Sequence, residues 1–166
     1  MLILHCTNKF MTQLGLKPSS EKPASKKTIL GDWSATYFYY NEDKIFLFVN
    51  NATLFSFTLR GLALDMLNIE IFAGLIDSLH RANVPFDIID KIRKESRDIK
   101  LVKNTNRRII GSINNLIYMY QFTLQQYQDI YSINMSEVER KMIRVPFKYL
   151  SYKLPIEVLE DKLGLK

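Results

Sequence analysis

The feature that most restricts the fold is a run of three strand-like segments between residues 33 and 60. The middle segment, Ile45-Phe46-Leu47-Phe48-Val49, is apolar at every position. Successive side chains of a β-strand point to opposite faces of the sheet, so a strand of this composition has no face suited to water. The segment therefore predicts a central strand that is covered on both sides.

Short polar connections separate this strand from its neighbours in the sequence. Asn41-Glu42-Asp43 precedes it and Asn50-Asn51 follows it. Connections of two or three polar residues favour antiparallel hairpins. We therefore expect strands at Trp33–Tyr40, Lys44–Asn50 and Thr53–Arg60, joined as a hairpin meander over residues 33–60.

Outside the meander, the chain alternates between short apolar runs and helical periodicity. Leu2–Cys6 and Asp98–Lys103 are short enough, and apolar or alternating enough, to predict two further strands. Elsewhere apolar residues recur every three or four positions, which is typical of helices packed on a sheet. The predicted fold is α+β: an antiparallel sheet of about four to five strands packed with about four to five helices.

Polar residues predict where two of these helices begin. Ser136 and Glu139 have the Ser-x-x-Glu spacing of a capping box, in which each side chain satisfies a free backbone N–H of the other residue. The longest helix is expected to run from about residue 106 to residue 127. Thr105 or Asn104 is the expected cap of this helix.

The composition is that of an ordinary globular protein. The 166 residues are 47% hydrophobic and include one cysteine, which excludes a disulfide scaffold, a collagen-like repeat and low-complexity disorder. No segment approaches the ~18 unbroken apolar residues that cross a bilayer. We expect a single domain over residues 1–166, with a flexible loop near residues 17–30, no contact with a membrane and a cytoplasmic location.

Positive charge is concentrated in segment 91–108. This segment contains eight basic residues and only two acidic ones, Glu95 and Asp98. Its net charge of +6 equals that of the whole chain. Such a cluster beside a helix start could bind phosphate, whereas the same charges also suit a solvated helix face and strand edge. No motif for sequence-specific DNA recognition accompanies them. The candidate anion-binding residues are Lys91, Arg93, Lys94, Arg97, Lys100 and Lys103.

A polar cleft would form if the first strand lies beside the start of the longest helix. Alternatively, the polar residues at the start of that helix form only a solvated surface. Thr7 is in addition the expected cap of a short helix after the first strand. The candidate residues of the polar cleft are His5, Thr7, Lys9, Asn106, Arg107, Arg108, Ser112 and Asn114.

Catalytic and metal-binding motifs are not predicted. His5 and Cys6 are adjacent on a strand, so their side chains point to opposite faces. With two histidines and one cysteine in the chain, a histidine-cysteine zinc site is not expected. A glycine-rich phosphate loop is absent as well. We therefore predict no catalytic residue, no metal and no cofactor.

Tyrosines are frequent in both halves of the chain, which contains nine of them. Exposed tyrosines often mark protein contacts, because each supplies contact area and a hydrogen bond at low entropic cost. The alternative is that these rings close the core. A protein partner or a homo-oligomer is the expectation that we draw from them.

Four stretches of the sequence resemble one family. They are Ile3–Lys9, which contains His-Cys-Thr-Asn-Lys, Leu47–Thr53, Asn106–Asn114 and Arg144–Glu157. The sequence resembles an uncharacterised family of bacterial and phage proteins, a domain of unknown function with an N-terminal His-Cys-Thr-x-Lys motif. This resemblance implies an accessory or host-interaction role in a phage or mobile element, without an established activity.

These observations predict a non-catalytic binding domain that acts through a macromolecular partner. A protein is slightly favoured, and nucleic acid could bind through segment 91–108. The alternative is an enzyme that acts on a nucleotide or nucleic-acid phosphate through a basic polar cleft. In that case His5 would be the acid or base, and Lys9, Arg107 and Arg108 would hold the phosphate.

Overall fold

The computed structural model describes residues 1–17, 19, 28–127, 129 and 132–166. A five-stranded sheet with the strand order β4-β3-β2-β1-β5 runs through these residues. The strands are β1 (Leu2–Cys6), β2 (Trp33–Tyr40), β3 (Asp43–Asn50), β4 (Ser56–Leu59) and β5 (Ile99–Lys103). The α-helices are α1 (Asn8–Gln13), α2 (Leu67–Arg81), α3 (Phe86–Glu95), α4 (Arg107–Leu124), α5 (Met135–Met142) and α6 (Pro155–Lys162). The predicted α+β class is confirmed.

The sheet is mostly antiparallel, but β1 runs parallel to its neighbours, so the sheet is mixed. β2, β3 and β4 form the expected hairpin meander, with Tyr40 opposite Asp43 at the first turn. β1 runs parallel to both of its neighbours, with Leu4 beside Trp33 of β2 and Leu101 of β5. Parallel neighbours cannot be joined by a tight hairpin, and α1 lies in the connection from β1 to β2.

Two hydrophobic cores lie on opposite faces of the sheet. The first core contains Phe46 and Phe48 of β3 and receives side chains from α1, α2, α3 and α6. The second core contains Ile45, Leu47 and Val49 of the same strand and receives side chains from α4 and α5. The prediction that this strand is covered on both faces is therefore confirmed. α4 and α3, which both carry parts of the basic segment, lie on opposite sides of the sheet.

The start of α5 differs from the predicted capping box. Asn134 is the N-cap and accepts the N–H of Ser136, so the helix begins before Ser136. Glu139 does not turn back to the helix start, because its side chain is buried against β4. There its Oε1 atom accepts the N–H and the hydroxyl of Thr58, each at 2.7 Å, and its Oε2 atom accepts a hydrogen bond from Arg81 at 2.6 Å.

Two further expectations concern the loop near residues 17–30 and the membrane. Most of that loop, residues 18 and 20–27, lies outside the described residues. Across the part of the chain that the structure describes, none of the helices combines the length and the apolar character needed to cross a bilayer.

Candidate functional site

A polar cleft of about 340 Å³ lies beside the first turn of α4. Five separate segments of the chain meet there: the end of β1, the residues before β2, the turn after β3, the residue before α4 and the end of α6. The residues that line the cleft are His5, Gly31, Asp32, Asn51, Ala52, Asn106 and Lys162. Five of these seven residues carry a charged, amide or imidazole side chain, so polar groups reach the cleft from several sides.

The turn after β3 is held by the buried side chain of Asn50. Its Oδ1 atom accepts the backbone N–H groups of Ala52 at 3.1 Å and Thr53 at 3.0 Å. Its Nδ2 atom donates to the carbonyl oxygen of Leu30 at 2.9 Å, which ties this turn to the segment before β2. Because Thr53 belongs to the turn, β4 begins at Ser56 and is shorter than the predicted strand.

A chain of buried and part-buried hydrogen bonds connects this turn to α4. The hydroxyl of Ser34 donates to Oδ1 of Asn51 at 2.6 Å, and Nδ2 of Asn104 donates to the Ser34 hydroxyl at 2.9 Å. Oδ1 of Asn104 accepts the backbone N–H of Asn106 at 3.1 Å. Buried polar groups that are satisfied in this way fix their surroundings. The walls of the cleft are therefore positioned by the protein itself.

Asn106 is the N-cap of α4, so the expected cap at Thr105 or Asn104 is wrong. Its Oδ1 atom accepts the N–H groups of Arg108 at 3.1 Å and Ile109 at 3.2 Å. Asn104 does not cap the helix because its side chain is buried and bonded to Ser34, away from the helix start.

The hydrogen bonds described so far occupy the oxygen atoms of both amide side chains in the cleft. Oδ1 of Asn51 is used by Ser34, and Oδ1 of Asn106 is used by the start of α4. Within the described part of the chain, neither Nδ2 group donates to a protein acceptor, and Lys162 forms no ion pair. Asn51, Asn106 and Lys162 therefore keep two amide NH₂ groups and one ammonium that can donate hydrogen bonds to a ligand.

His5 and Asp32 form the one side-chain pair within the lining of the cleft. Nε2 of His5 lies 3.0 Å from Oδ2 of Asp32, with the side chains 24% and 44% exposed. His5 points away from the first core, because Leu4 and Cys6 on either side of it belong to that core. The contact directs the Nε2 edge of the imidazole to a carboxylate, which favours a proton on Nε2.

Arg107 and Arg108 add positive charge beside the cleft. The Arg108 guanidinium lies 4.9 Å from the centre of the Tyr149 ring, and the Tyr149 hydroxyl donates to the carbonyl oxygen of Asn51 at 3.0 Å. Arg108 is therefore at the rim of the cleft. Both arginines are exposed and belong to the first turn of α4, whose dipole also favours anions.

Thr7 and Lys9 do not line the cleft. Thr7 caps α1 as predicted, because its hydroxyl oxygen accepts the N–H of Phe10, and the hydroxyl donates to Thr36. The ammonium of Lys9 lies 4.9 Å from the centre of the Tyr37 ring, which packs against the first core. Desolvation there lowers the pKa of Lys9.

Ser112 and Asn114 lie further along α4 and do not line the cleft either. The Ser112 hydroxyl donates to the carbonyl oxygen of Arg108 within the helix, at 3.1 Å. Asn114 is exposed on the outer face. Of the predicted polar cleft, the structure thus brings together His5 and Asn106, with Arg107 and Arg108 beside them.

The predicted anion-binding residues are distributed over α3, the segment after it and β5. Lys91, Arg93 and Lys94 are on α3, where Lys94 pairs with Asp90 at 2.9 Å. Arg97 follows α3, whereas Lys100 and Lys103 are on the edge strand β5. Because α3 packs on the first core and α4 on the second, the fold divides the basic segment between two sides of the sheet.

Asp32, Asn51 and Lys162 were not predicted as site residues. Asn51 had a signal, because it lies in one of the four stretches that resemble the family. Asp32 and Lys162 carry no local signal, since only the tertiary fold places them beside His5. Groups of three or more His, Cys, Asp or Glu side chains that could hold a metal are absent from the described ranges.

Comparison with protein families identifies the family of this chain. No curated protein matches the sequence. The model of the family described as Domain of unknown function (DUF6933) matches residues 3–158. The matched range contains every residue of the cleft lining except Lys162. Because the match extends over nearly the whole chain, this protein belongs to the DUF6933 family.

Proposed function

We propose that this protein is a non-catalytic binding domain that holds a phosphate group of a nucleic acid in the cleft. The observation that carries the proposal is the set of donors that Asn51, Asn106 and Lys162 present around one cavity. Phosphate oxygens are anionic and accept hydrogen bonds, so the amide and ammonium donors of the cleft suit them. Arg107 and Arg108 supply further positive charge next to it.

The negative charge of Asp32 is the main feature of the cleft that disfavours an anionic ligand. Its Oδ2 atom lies 3.0 Å from Nε2 of His5, so this carboxylate is already engaged with the protein. The three cations Lys162, Arg107 and Arg108 outweigh the single negative charge of Asp32, so the cleft and its rim carry an excess of positive charge. This balance supports an anionic ligand.

The position of the family-like stretches also supports the proposal. His5, Asn51 and Asn106 each come from a different one of the four stretches on which the resemblance rests. Tyr149, from the remaining stretch, contacts the rim. The parts of the sequence that resemble the family therefore converge on this cleft.

The proposal can be tested by fluorescence anisotropy with a labelled single-stranded oligonucleotide that carries a 5′ phosphate. We expect binding that weakens as salt rises, because displaced counterions oppose it. Lys162→Ala should weaken binding about tenfold, as expected for the loss of one charge-assisted hydrogen bond. Lys153→Ala is the matched control, because Lys153 already pairs with Asp161 and is outside the cleft. Absence of binding at low salt would refute the proposed function.

A protein partner is the second candidate, and the outer face of α4 favours it. Tyr118 and Phe122 lie one turn apart there and are 67% and 52% exposed. Self-association is the simplest form of this candidate, and light scattering over a range of protein concentrations tests it. A dimer that the double variant Tyr118→Ser/Phe122→Ser converts to a monomer would support the candidate, whereas a monomer at every concentration would contradict it.

The enzyme alternative depends on His5 as an acid or base. The contact with Asp32 favours this role, because a carboxylate orients an imidazole for proton transfer. Lys9, by contrast, lies over Tyr37 and does not line the cleft with His5. Release of phosphate or cleavage of an oligonucleotide, lost in His5→Asn, would favour an enzyme over a binding domain.

The cellular setting is proposed from the sequence alone. A cytoplasmic location agrees with a chain that has one cysteine and therefore no internal disulfide. A phage or mobile-element accessory role follows from the family resemblance. Cell fractionation tests the location, and the genes adjacent to the coding sequence test the setting.

A further inference from the structure

We infer that the cleft is specific for a terminal phosphate, the monoester group at a strand end or on a mononucleotide, and does not hold internal phosphodiesters. The inference rests on the proposed function and narrows its ligand to one chemical group.

The number and origin of the donors are the first reason. Asn51, Asn106 and Lys162 reach the same cavity from the turn after β3, the start of α4 and the end of α6. A phosphate monoester has three terminal oxygens, whereas an internal phosphodiester has two. Three donor-bearing residues that line one cavity from separate segments match the end group better than a linkage within a chain.

The charge of the ligand is the second reason. A monoester carries about −1.5 to −2 at pH 7, and an internal diester carries a single negative charge. Lys162 is unpaired within the described residues, Arg108 is at the rim through Tyr149, and Arg107 follows Asn106 at the start of α4. The more highly charged group gains more from these cations.

The shape of the basic surface is the third reason. A protein that follows a nucleic-acid backbone needs a continuous track of cations. Here the remaining basic residues of segment 91–108 are on α3, which packs on the other side of the sheet, directly after α3, or along the β5 edge. A cavity of about 340 Å³ is at the small end of ligand pockets. It therefore has room for the end of one strand and not for a longer stretch of backbone.

The experiment compares two oligonucleotides of identical sequence, both labelled at the 3′ end. One carries a 5′ phosphate and the other a 5′ hydroxyl. We expect the phosphorylated strand to bind at least about tenfold more tightly, and a nucleoside 5′-monophosphate, but not the nucleoside, to compete with it. In Lys162→Ala the two strands should bind alike, whereas Lys153→Ala should keep the preference.

A second variant separates binding from folding. Asn106→Asp keeps a side-chain oxygen for the N–H groups of Arg108 and Ile109, so the cap of α4 is retained. It replaces the Nδ2 donor with a carboxylate oxygen that repels phosphate. We expect an unchanged unfolding transition together with loss of the preference for the 5′ phosphate.

Three outcomes distinguish the inference from the proposed function. A preference for the 5′ phosphate that depends on Lys162 and on the Asn106 amide supports both. If both oligonucleotides bind equally and Lys162→Ala weakens both, the terminal-phosphate inference is wrong and the proposed function stands. If neither oligonucleotide binds at low salt, both are wrong.

Discussion

Replacement of Glu139 by alanine should lower the free energy of unfolding by about 2 to 3 kcal/mol. The Glu139 side chain is only 8% exposed and joins three elements of the fold. From α5 it accepts two hydrogen bonds from Thr58 on the edge strand β4, and one from Arg81 at the end of α2. Loss of the carboxylate would leave the Thr58 N–H without its partner.

The magnitude follows from the separate contacts. An unsatisfied donor costs about 1–3 kcal/mol, and Thr58 is half-buried, so the lower part of that range applies. Lost packing of the side-chain methylenes adds about 1 kcal/mol. Arg81 contributes little, because it is one-third exposed and keeps its ion pair with Asp77. Glu139→Gln keeps a carbonyl oxygen for Thr58 and should cost only about 1 kcal/mol.

Urea unfolding followed by circular dichroism measures these differences. Glu137→Ala is the matched control on the same helix, because Glu137 is more exposed and pairs only with Lys141 at 3.8 Å; its effect should stay below about 0.5 kcal/mol. An unfolding free energy of Glu139→Ala within 0.5 kcal/mol of the unmodified protein would refute this reasoning. So would an equal loss in the alanine and glutamine variants.

Three further predictions concern buried groups and one turn. Tyr120→Phe should lower the free energy of unfolding by about 1–2 kcal/mol, because it leaves the buried Ser56 hydroxyl without its 2.8 Å partner; the double variant with Ser56→Ala should recover part of this loss in urea unfolding. Burial raises the pKa of the Cys6 thiol to about 12. Thiol reagents at pH 8 should therefore leave Cys6 unmodified in the folded protein and modify it in urea, and rapid modification of the folded protein would contradict its burial. Gly31→Ala should cost about 1 kcal/mol in urea unfolding, because the φ of +74° is unfavourable for a residue with a Cβ atom.

The sequence predicts the fold best where one local pattern allows one solution. Ile45–Val49 is apolar on both faces, so cores on both sides of β3 follow directly from the alternation of side chains. Thr7 predicts its helix cap for a similar reason, since the hydroxyl can satisfy an N–H three residues ahead. In both cases residues that are close in the sequence determine the result: the alternation within β3 requires cover on both faces, and Thr7 lies next to the helix that it caps.

The direction of β1 is a different kind of property. Leu2–Cys6 would suit a parallel or an antiparallel neighbour equally well, because both place alternate side chains on the same two faces. Its parallel pairing with Trp33 and Leu101 is decided by residues that are about 30 and 97 positions away along the chain. The capping box at Ser136 was wrong for the same reason, because Arg81 and Thr58 bind Glu139 from distant elements.

The asparagines of the cleft show why the site was harder to predict than the fold. Asn50 and Asn51 are adjacent and chemically identical. The side chain of Asn50 forms hydrogen bonds within the protein through both its oxygen and its amide nitrogen, whereas that of Asn51 does so only through its oxygen. Asn104 and Asn106 divide in the same way: Asn104 is bonded through both atoms, and Asn106 through its oxygen.

Which member of each pair supports the wall and which keeps a free amide NH₂ group depends on the side to which the backbone turns its side chain. Ser34 then holds one side chain of each pair in place, because its hydroxyl donates to Asn51 and accepts from Asn104. Ser34→Ala should therefore reduce phosphate binding without removing any group that lines the cleft, since Oδ1 of Asn51 would no longer be held and the amide could rotate. Unchanged affinity of Ser34→Ala for a 5′-phosphorylated strand would show that the orientation of the Asn51 amide does not matter for binding.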